Sequence, residues 1–285
     1  MQMFIIAADN SLAKGAMTMN NYKSYFGFTK EPFSQDIKKD ELYPLPAQQA
    51  TVQRIQYAIS IAGVCVITGE VGSGKSTSLR YAASQLHPSL YRVIPVVAST
   101  GSNLEILRQV CYSLDIECKS TSVAVLSKTI RGAITEITQK KQIPVLIIDE
   151  AQLMRLEVFA QMHTICQFEM DSKPAIAIIL SGQNILIDKL QYHTSRPLAS
   201  RVVGRSHLEG LKSKEMAEYL KHHLEVAGIK EQLFSDEAML AIHQGSGGML
   251  RKANLLARGS LIAAAKDRCN VVSAEHVRVA STELI

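Results

Sequence analysis

The run Gly69-Glu70-Val71-Gly72-Ser73-Gly74-Lys75-Ser76-Thr77 gathers three glycines, an ammonium and neighbouring hydroxyls into one short stretch. Glycine permits backbone turns closed to other residues, so successive N–H groups can point inward at a single anion. A phosphate suits such a cradle best. The spacing Gly69-x-x-x-x-Gly74-Lys75-Ser76 is that of a phosphate-binding loop. In such a loop the lysine reaches the β and γ phosphates of a nucleoside triphosphate and the hydroxyl binds Mg2+. A plain glycine turn between a strand and a helix would need neither Lys75 nor Ser76.

The second chemical motif is "PVLIIDEAQL", an apolar run that ends in Asp149 and Glu150. Two carboxylates there are costly unless a cation offsets them, and Mg2+ would. Asp149 is then expected to hold the metal's water shell beside Ser76, and Glu150 to orient or polarise the water that attacks the γ-phosphate. An Asp-Glu pair alone also begins many loops; the phosphate loop upstream gives this one its meaning. A third run, "AIAIILSGQN", ends in Ser181 and Gln183, either of which could touch the γ-phosphate or the water, although polar residues end most strands. Arg196 and Arg201, expected to flank the last strand of the core, and Arg251, after "GSGG", could aim positive charge at a developing phosphate charge. Most arginines do no more than solvate a surface.

These residues need a scaffold, and the apolar periodicity supplies one. Val64 to Ile67 reads as a buried strand and Ser76 to Leu86 as a helix. A strand at Tyr91–Val97 follows, then helices around Leu104–Ser113 and Val123–Lys140, then the two apolar runs quoted above. Strands alternating with helices predict an α/β fold, a parallel sheet covered on both faces. Pro95 moves its strand toward the edge of that sheet. After Leu211 only helical patterns remain: Ser213–Ala227, Asp236–Gln244, Leu250–Lys266 and Ala274–Ser281. Ser235 and Ser273 stand as N-caps, and Gly228 and Gly245 where left-handed C-caps would be. The expected organisation is a loose leader over residues 1–20, an α/β nucleotide-binding domain over 21–211 and a small all-helical lid over 212–285.

With 285 residues, 47% hydrophobic and 20% charged, the composition is that of a globular chain. No apolar run approaches the roughly 20 residues of a membrane span, and the N-terminal apolar patch lacks a signal peptide's basic flank. A cytoplasmic protein is expected. Cys65, Cys111, Cys118, Cys166 and Cys269 are scattered without a C-x-x-C pair, which predicts reduced, mostly buried thiols and neither zinc nor a disulfide framework. The net charge of +5 is compatible with nucleic acid, but no basic block exceeds a pair such as Lys38-Lys39, so a solvated surface explains it as well.

Taken together, "YFGFTKEPFSQDIKKDELYPLPAQQATVQRIQYAI", "TGEVGSGKST", "LIIDEAQ", "LSGQ" and "GSGGMLRKANLLA" resemble the ExeA-like AAA+ ATPases, which group near the transposition ATPases TnsC, TniB and MuB. The likeness runs from about Tyr22 to the C-terminus. It implies a P-loop sheet with a helical lid, hydrolysis of ATP to ADP and phosphate with Mg2+, and ATP-dependent rings or filaments of the chain with itself. It places the opening segment beside the adenine, making Tyr25, Phe26, Pro32 and Phe33 candidates for the base pocket; otherwise such an aromatic cluster reads as core. Lys75, Ser76 and Thr77 match the phosphate and Mg2+ ligands, Asp149 the metal ligand and Glu150 the water-activating residue. Arg251 matches the lid arginine called sensor 2. Arg201, with Arg196 second, matches the finger that enters a neighbouring subunit's site. Leu250 replaces the proline usual before the lid arginine, which bears on where that helix starts. The implied partners are double-stranded DNA and a transposase. The alternatives are a secretion-system or envelope protein, or a signalling switch read by nucleotide occupancy. Secretion members continue into a membrane helix and a peptidoglycan-binding region, whereas this sequence stops at Ile285, so a protein not embedded in a membrane is expected.

Overall fold

The computed structural model describes residues 22–34, 36–117, 119–168 and 174–283. The expected leader, Met1 to Asn20, and Cys118 lie outside them. Among the described residues helix α1 (Tyr22–Phe26) comes first, and Pro46, at the first position of α2 (Pro46–Ser60), starts the next α-helix, where its missing N–H costs nothing. Then come β1 (Val64–Gly69), α3 (Lys75–Ser84), β2 (Tyr91–Val97), α4 (Asn103–Ser113), α5 (Val123–Gln139), β3 (Ile143–Asp149) and α6 (Leu156–Cys166). The sheet is completed by β4 (Ala177–Gly182), α7 (Ile185–Gln191), α8 (Arg196–Ala199) and β5 (Val202–Leu208), after which α9 (Ser213–Val226), α10 (Asp236–Ser246), α11 (Leu250–Lys266) and α12 (Ala274–Thr282) follow.

The five strands are parallel and lie in the order β2-β3-β4-β1-β5. Both faces are covered, which is why the strands read as unbroken apolar runs. Val64, Val66, Leu146, Ile148, Ile178 and Leu180 face the layer built by α4 to α8. Their neighbours Cys65, Ile67, Val145, Ile147, Ala177 and Ile179 face α2 and α3. Fully burying each such Val, Leu or Ile side chain stabilises the fold by about 1.5–3 kcal/mol. Strand β2 is an edge strand, so Pro95 disturbs no second ladder. Burial also pushes the Cys65 thiol up to about 11 and the Cys166 thiol up to about 12, which leaves both unreactive at neutral pH.

Helices α9 to α12 share a core of their own, which the opening segment joins through Tyr22, Phe33 and Leu45. Ser235 caps α10 by accepting the Ala238 N–H, and Gly228, at φ +96°, follows α9 as expected. Gly245 does not end α10. It lies inside the helix, and the left-handed cap is Gly247, whose N–H donates to the Gln244 carbonyl. Helix α11 starts at Leu250 without a proline there. Among the described residues, no helix is long and apolar enough to cross a membrane.

Candidate nucleotide site

The sheet order sets the chemistry side by side. Strand β4 separates β1 from β3, with Ser181 in register with Ile67 and Leu180 with Ile148. The loop after β1 and the carboxylates ending β3 therefore emerge on either side of the end of β4.

The loop curls through Gly72 at φ +85° and Gly74 at φ +94°, conformations that a side chain would strain. A Cβ on Gly72 would also come within 2.9 Å of the Arg251 Cβ. Lys75 opens α3 and is 6% exposed; its Nζ donates to the Gly69 and Glu70 carbonyls at 2.9 Å each. Burial pulls its pKa down, while Glu150, Asp149 and Glu70 push it back up. Ser73 Oγ is buried and has no hydrogen-bond partner among the described residues. A glycine cradle, an ammonium and an orphaned hydroxyl together suit a phosphate.

Asp149 accepts from Ser76 Oγ through Oδ2 at 2.6 Å, and through Oδ1 from Ser181 Oγ at 2.9 Å and from the Glu150 N–H at 3.0 Å. A hydroxyl and a carboxylate touching beside a phosphate loop form an all-oxygen donor set that fits Mg2+, which keeps several waters and takes few protein ligands. Glu150 is held in the left-handed region at φ +54°, and Gln152 Nε2 donates to its Oε2 at 2.6 Å.

Ser181 is fully buried and its hydroxyl donates to Asp149, so it orients that carboxylate; its place on β4, beside the strand that carries Asp149, is the reason. Gln183 contributes its backbone N–H, which donates to Gln152 Oε1 at 3.1 Å.

Between the loop and the C-terminal helices lies a cavity of about 300 Å3. Gly72, Gly74, Lys75, Ser76, Thr77 and Glu150 line one part; Phe33, Leu42, Tyr43, Leu45, Tyr219 and His223 line another; Arg251, Asn254 and Arg258 enter from α11. The Arg251 N–H donates to the Gly72 carbonyl at 3.2 Å, which docks the start of α11 on the loop. Arg258 is committed elsewhere, to the Phe33 carbonyl at 2.9 Å and Glu31 at 3.0 Å.

Of the aromatic candidates, Phe33 alone reaches the cavity wall. Phe26 stacks edge-on with Tyr25 at 4.9 Å and packs with the C-terminal helices, because α1 lies against α11. Tyr25 donates to Asn270 Oδ1, and Pro32 offers its carbonyl to His223. Arg196 and Arg201 both precede β5 and do not flank it, and neither lines the cavity. Arg201 Nε donates to His163 Nδ1 at 3.4 Å; Arg196 and Arg205 line a separate, open hollow beside β5.

The sequence reading missed Gln152, Asn184, Tyr43, Tyr219, His223 and Asn254. Asn184 Nδ2 donates to Glu70 Oε1 at 3.2 Å, joining the end of β4 to the phosphate loop. Gln152 carried a signal, two residues beyond Glu150 inside a motif already singled out. The polar residues of α9 and α11 carried none, since their helical pattern reads equally as a solvated face.

Residues 59–190 match a family model described as an AAA domain. The chain is 29% identical over 245 residues to general secretion pathway protein A of Aeromonas hydrophila, a match that takes in 85% of this chain and 45% of that protein, so the chain spans less than half of its curated relative. Among solved structures it resembles the Cdc6p protein of Pyrobaculum aerophilum, with a TM-score of 0.72 at 16% identity over 89% of this chain and 70% of that one. It also resembles the Aeropyrum pernix ORC1 protein in complex with DNA, with a TM-score of 0.67 at 15% identity over 90% and 70% of the two chains. For the RuvB Holliday junction branch migration motor of Thermotoga maritima the TM-score is 0.54 at 18% identity, over 91% and 73%. At these identities the structural likeness shows a shared P-loop fold.

Proposed function

We propose, from the premise that the chain is an ExeA-like AAA+ protein, that it binds ATP in the cavity between the phosphate loop and α11 and hydrolyses it to ADP and phosphate. One observation supports this most: Lys75 with Ser76, Asp149 with Glu150, and Arg251 come from three separate stretches of sequence and meet at one cavity, Asp149 joining it through its bond to Ser76. Lys75 exchanges its two loop carbonyls for the β and γ phosphates. Ser76 and Asp149 hold Mg2+, which when bound neutralises phosphate charge. Glu150 orients the attacking water, and Arg251 brings a charge from the lid, residues 212–285, to the same phosphates. Arg201, or Arg196 in its place, acts on the site of a neighbouring copy in a ring or filament.

The test separates binding from turnover. Lys75→Ala should lose nucleotide binding, whereas Glu150→Gln should bind ATP and lose about a hundredfold or more in rate. Equal loss of binding in both variants would refute the division of roles.

For the partner, the leading reading is a DNA-associated assembly of the transposition type that recruits a transposase. It is supported by the fold likeness to proteins described with DNA or a DNA junction. An ATP- and salt-dependent shift of duplex DNA, lost in Lys75→Ala, would support it, and no binding at low salt would overturn it. The second reading, a secretion-pathway ATPase acting on an envelope protein, is favoured by the name of the curated relative. Recovery of an envelope protein with the ATP-bound Glu150→Gln chain is its test.

A further inference from the structure

We propose that His223 selects the base: its Nε2 accepts a hydrogen bond from the 6-amino group of adenine. The inference rests on the nucleotide-binding reading above and adds to it the group that distinguishes one purine from another.

The phosphate loop fixes one part of the cavity for phosphates, which leaves the wall of Phe33, Leu42, Tyr43, Leu45 and Tyr219 for the flat, largely apolar base. His223 stands in that wall. It is 3% exposed, and its ring packs 4.3 Å from Tyr219 and 5.7 Å from Phe33, centroid to centroid. Its Nδ1 lies 2.9 Å from the Pro32 carbonyl. A carbonyl only accepts, so Nδ1 carries the hydrogen. Burial and the neighbouring His222 push the pKa down to about 4, although the bond to Pro32 opposes them, so the ring is neutral at pH 7. A neutral ring protonated at Nδ1 leaves a lone pair on Nε2, and no group among the described residues donates to it.

The hydroxyl of Tyr219, whose ring packs on His223, is already engaged, since its Oη donates to Asn254 Oδ1 at 2.9 Å. An acceptor in the cavity lining to which the described residues donate nothing is open to a ligand that donates. Adenine carries two N–H bonds at position 6; guanine and hypoxanthine carry a carbonyl there, whose lone pairs would face that of Nε2. The same ring that Pro32 holds in one tautomer thus accepts the first kind of base and repels the second.

The experiment compares three triphosphates by equilibrium binding, without turnover: ATP, inosine triphosphate with its 6-oxo group, and purine riboside triphosphate with hydrogen at position 6. Wild type should bind ATP roughly five- to tenfold more tightly than the purine analogue, the value of one neutral hydrogen bond, with the inosine analogue weaker again. His223→Phe keeps the ring packing and should bring ATP and the purine analogue within about twofold of each other, and His223→Gln, which restores an acceptor, should recover part of the preference. A wild type without preference, or a His223→Phe variant that keeps it, overturns the assignment of His223 while leaving nucleotide binding intact. Failure of all three ligands to bind wild type overturns the nucleotide reading itself.

Discussion

Gly182 ends β4 against Gln152, and a methyl group there tests what holds Glu150. The Cβ of Gly182→Ala would overlap Gln152 Oε1 and lie 3.1 Å from the Gln152 backbone nitrogen. The backbone nitrogen is anchored, because Lys189 Nζ donates to the Met154 carbonyl at 2.7 Å and also to the carbonyl of Gln152. The side chain must therefore leave, and two hydrogen bonds go with it: Nε2 to Glu150 and Oε1 from the Gln183 N–H. A bond to a charged group contributes about 1.5–3 kcal/mol and a neutral one about 0.5–1.5, so the clamp holds about 2–4.5 kcal/mol in all. Glu150 lines a cavity that water reaches, so part of the stability returns on rehydration, whereas its orientation does not. Steady-state hydrolysis should fall about ten- to a hundredfold, with the ATP Kd unchanged because the phosphate loop is untouched. Gln152→Ala should do the same, and the double variant should be no worse than either single change, since both break one clamp. It should also unfold at higher denaturant than Gly182→Ala, because the overlapped atoms are gone. Losses in rate that multiply in the double variant, or a Gly182→Ala protein turning over at the wild-type rate, would refute the clamp.

Ser181→Ala should leave Asp149 oriented by two donors instead of three, raising the Mg2+ concentration needed for half-maximal nucleotide binding without abolishing it; titration with Mg2+ checks this. Arg251→Ala should weaken ATP affinity within each chain, whereas Arg201→Ala should bind ATP almost normally and lose roughly a hundredfold or more in hydrolysis. Mixing Arg201→Ala with Lys75→Ala should restore some activity, because an intact Lys75 site can then meet an intact Arg201; a dead mixture that still co-assembles would pass the role to Arg196. Because the folded-state pKa of His223 lies below its ordinary 6.5, at about 4, its neutral burial stabilises the fold fully above pH 6.5 and less as the pH falls toward 4. Denaturant midpoints at pH 7 and pH 5 should differ less in His223→Phe than in wild type.

What the sequence made legible was whatever is contiguous along it. The phosphate loop, the Asp149–Glu150 pair and the edge position of β2 could be read because each depends on neighbouring residues or on one proline. Gln152 and Ser181 serve the site only because β4 inserts between β1 and β3, and strand order is not a local property. That Ser181 bonds to Asp149 could not be read from the sequence for the same reason. Phe26 and Phe33 share one aromatic cluster in sequence, yet a helix turns one against α11 while the other reaches the cavity. Gly245 and Gly247 are both plausible stops two residues apart, and only the backbone conformation separates them.

The contact between the Arg251 N–H and the Gly72 carbonyl makes α11 a lever arm with its short end on the phosphate loop. The helix has 17 residues and so a reach of about 25 Å at about 1.5 Å per residue. A tilt of about 10° at the loop, less than the spread of ordinary helix crossing angles, would displace its far end by about 4 Å. Just beyond that end, Asn270 accepts from Tyr25 at 3.1 Å. Because α11 shares one core with α10, α12 and α1, such a tilt would be carried to the surface formed by α1 and the turn before α12, where a partner would meet it without ever approaching the nucleotide.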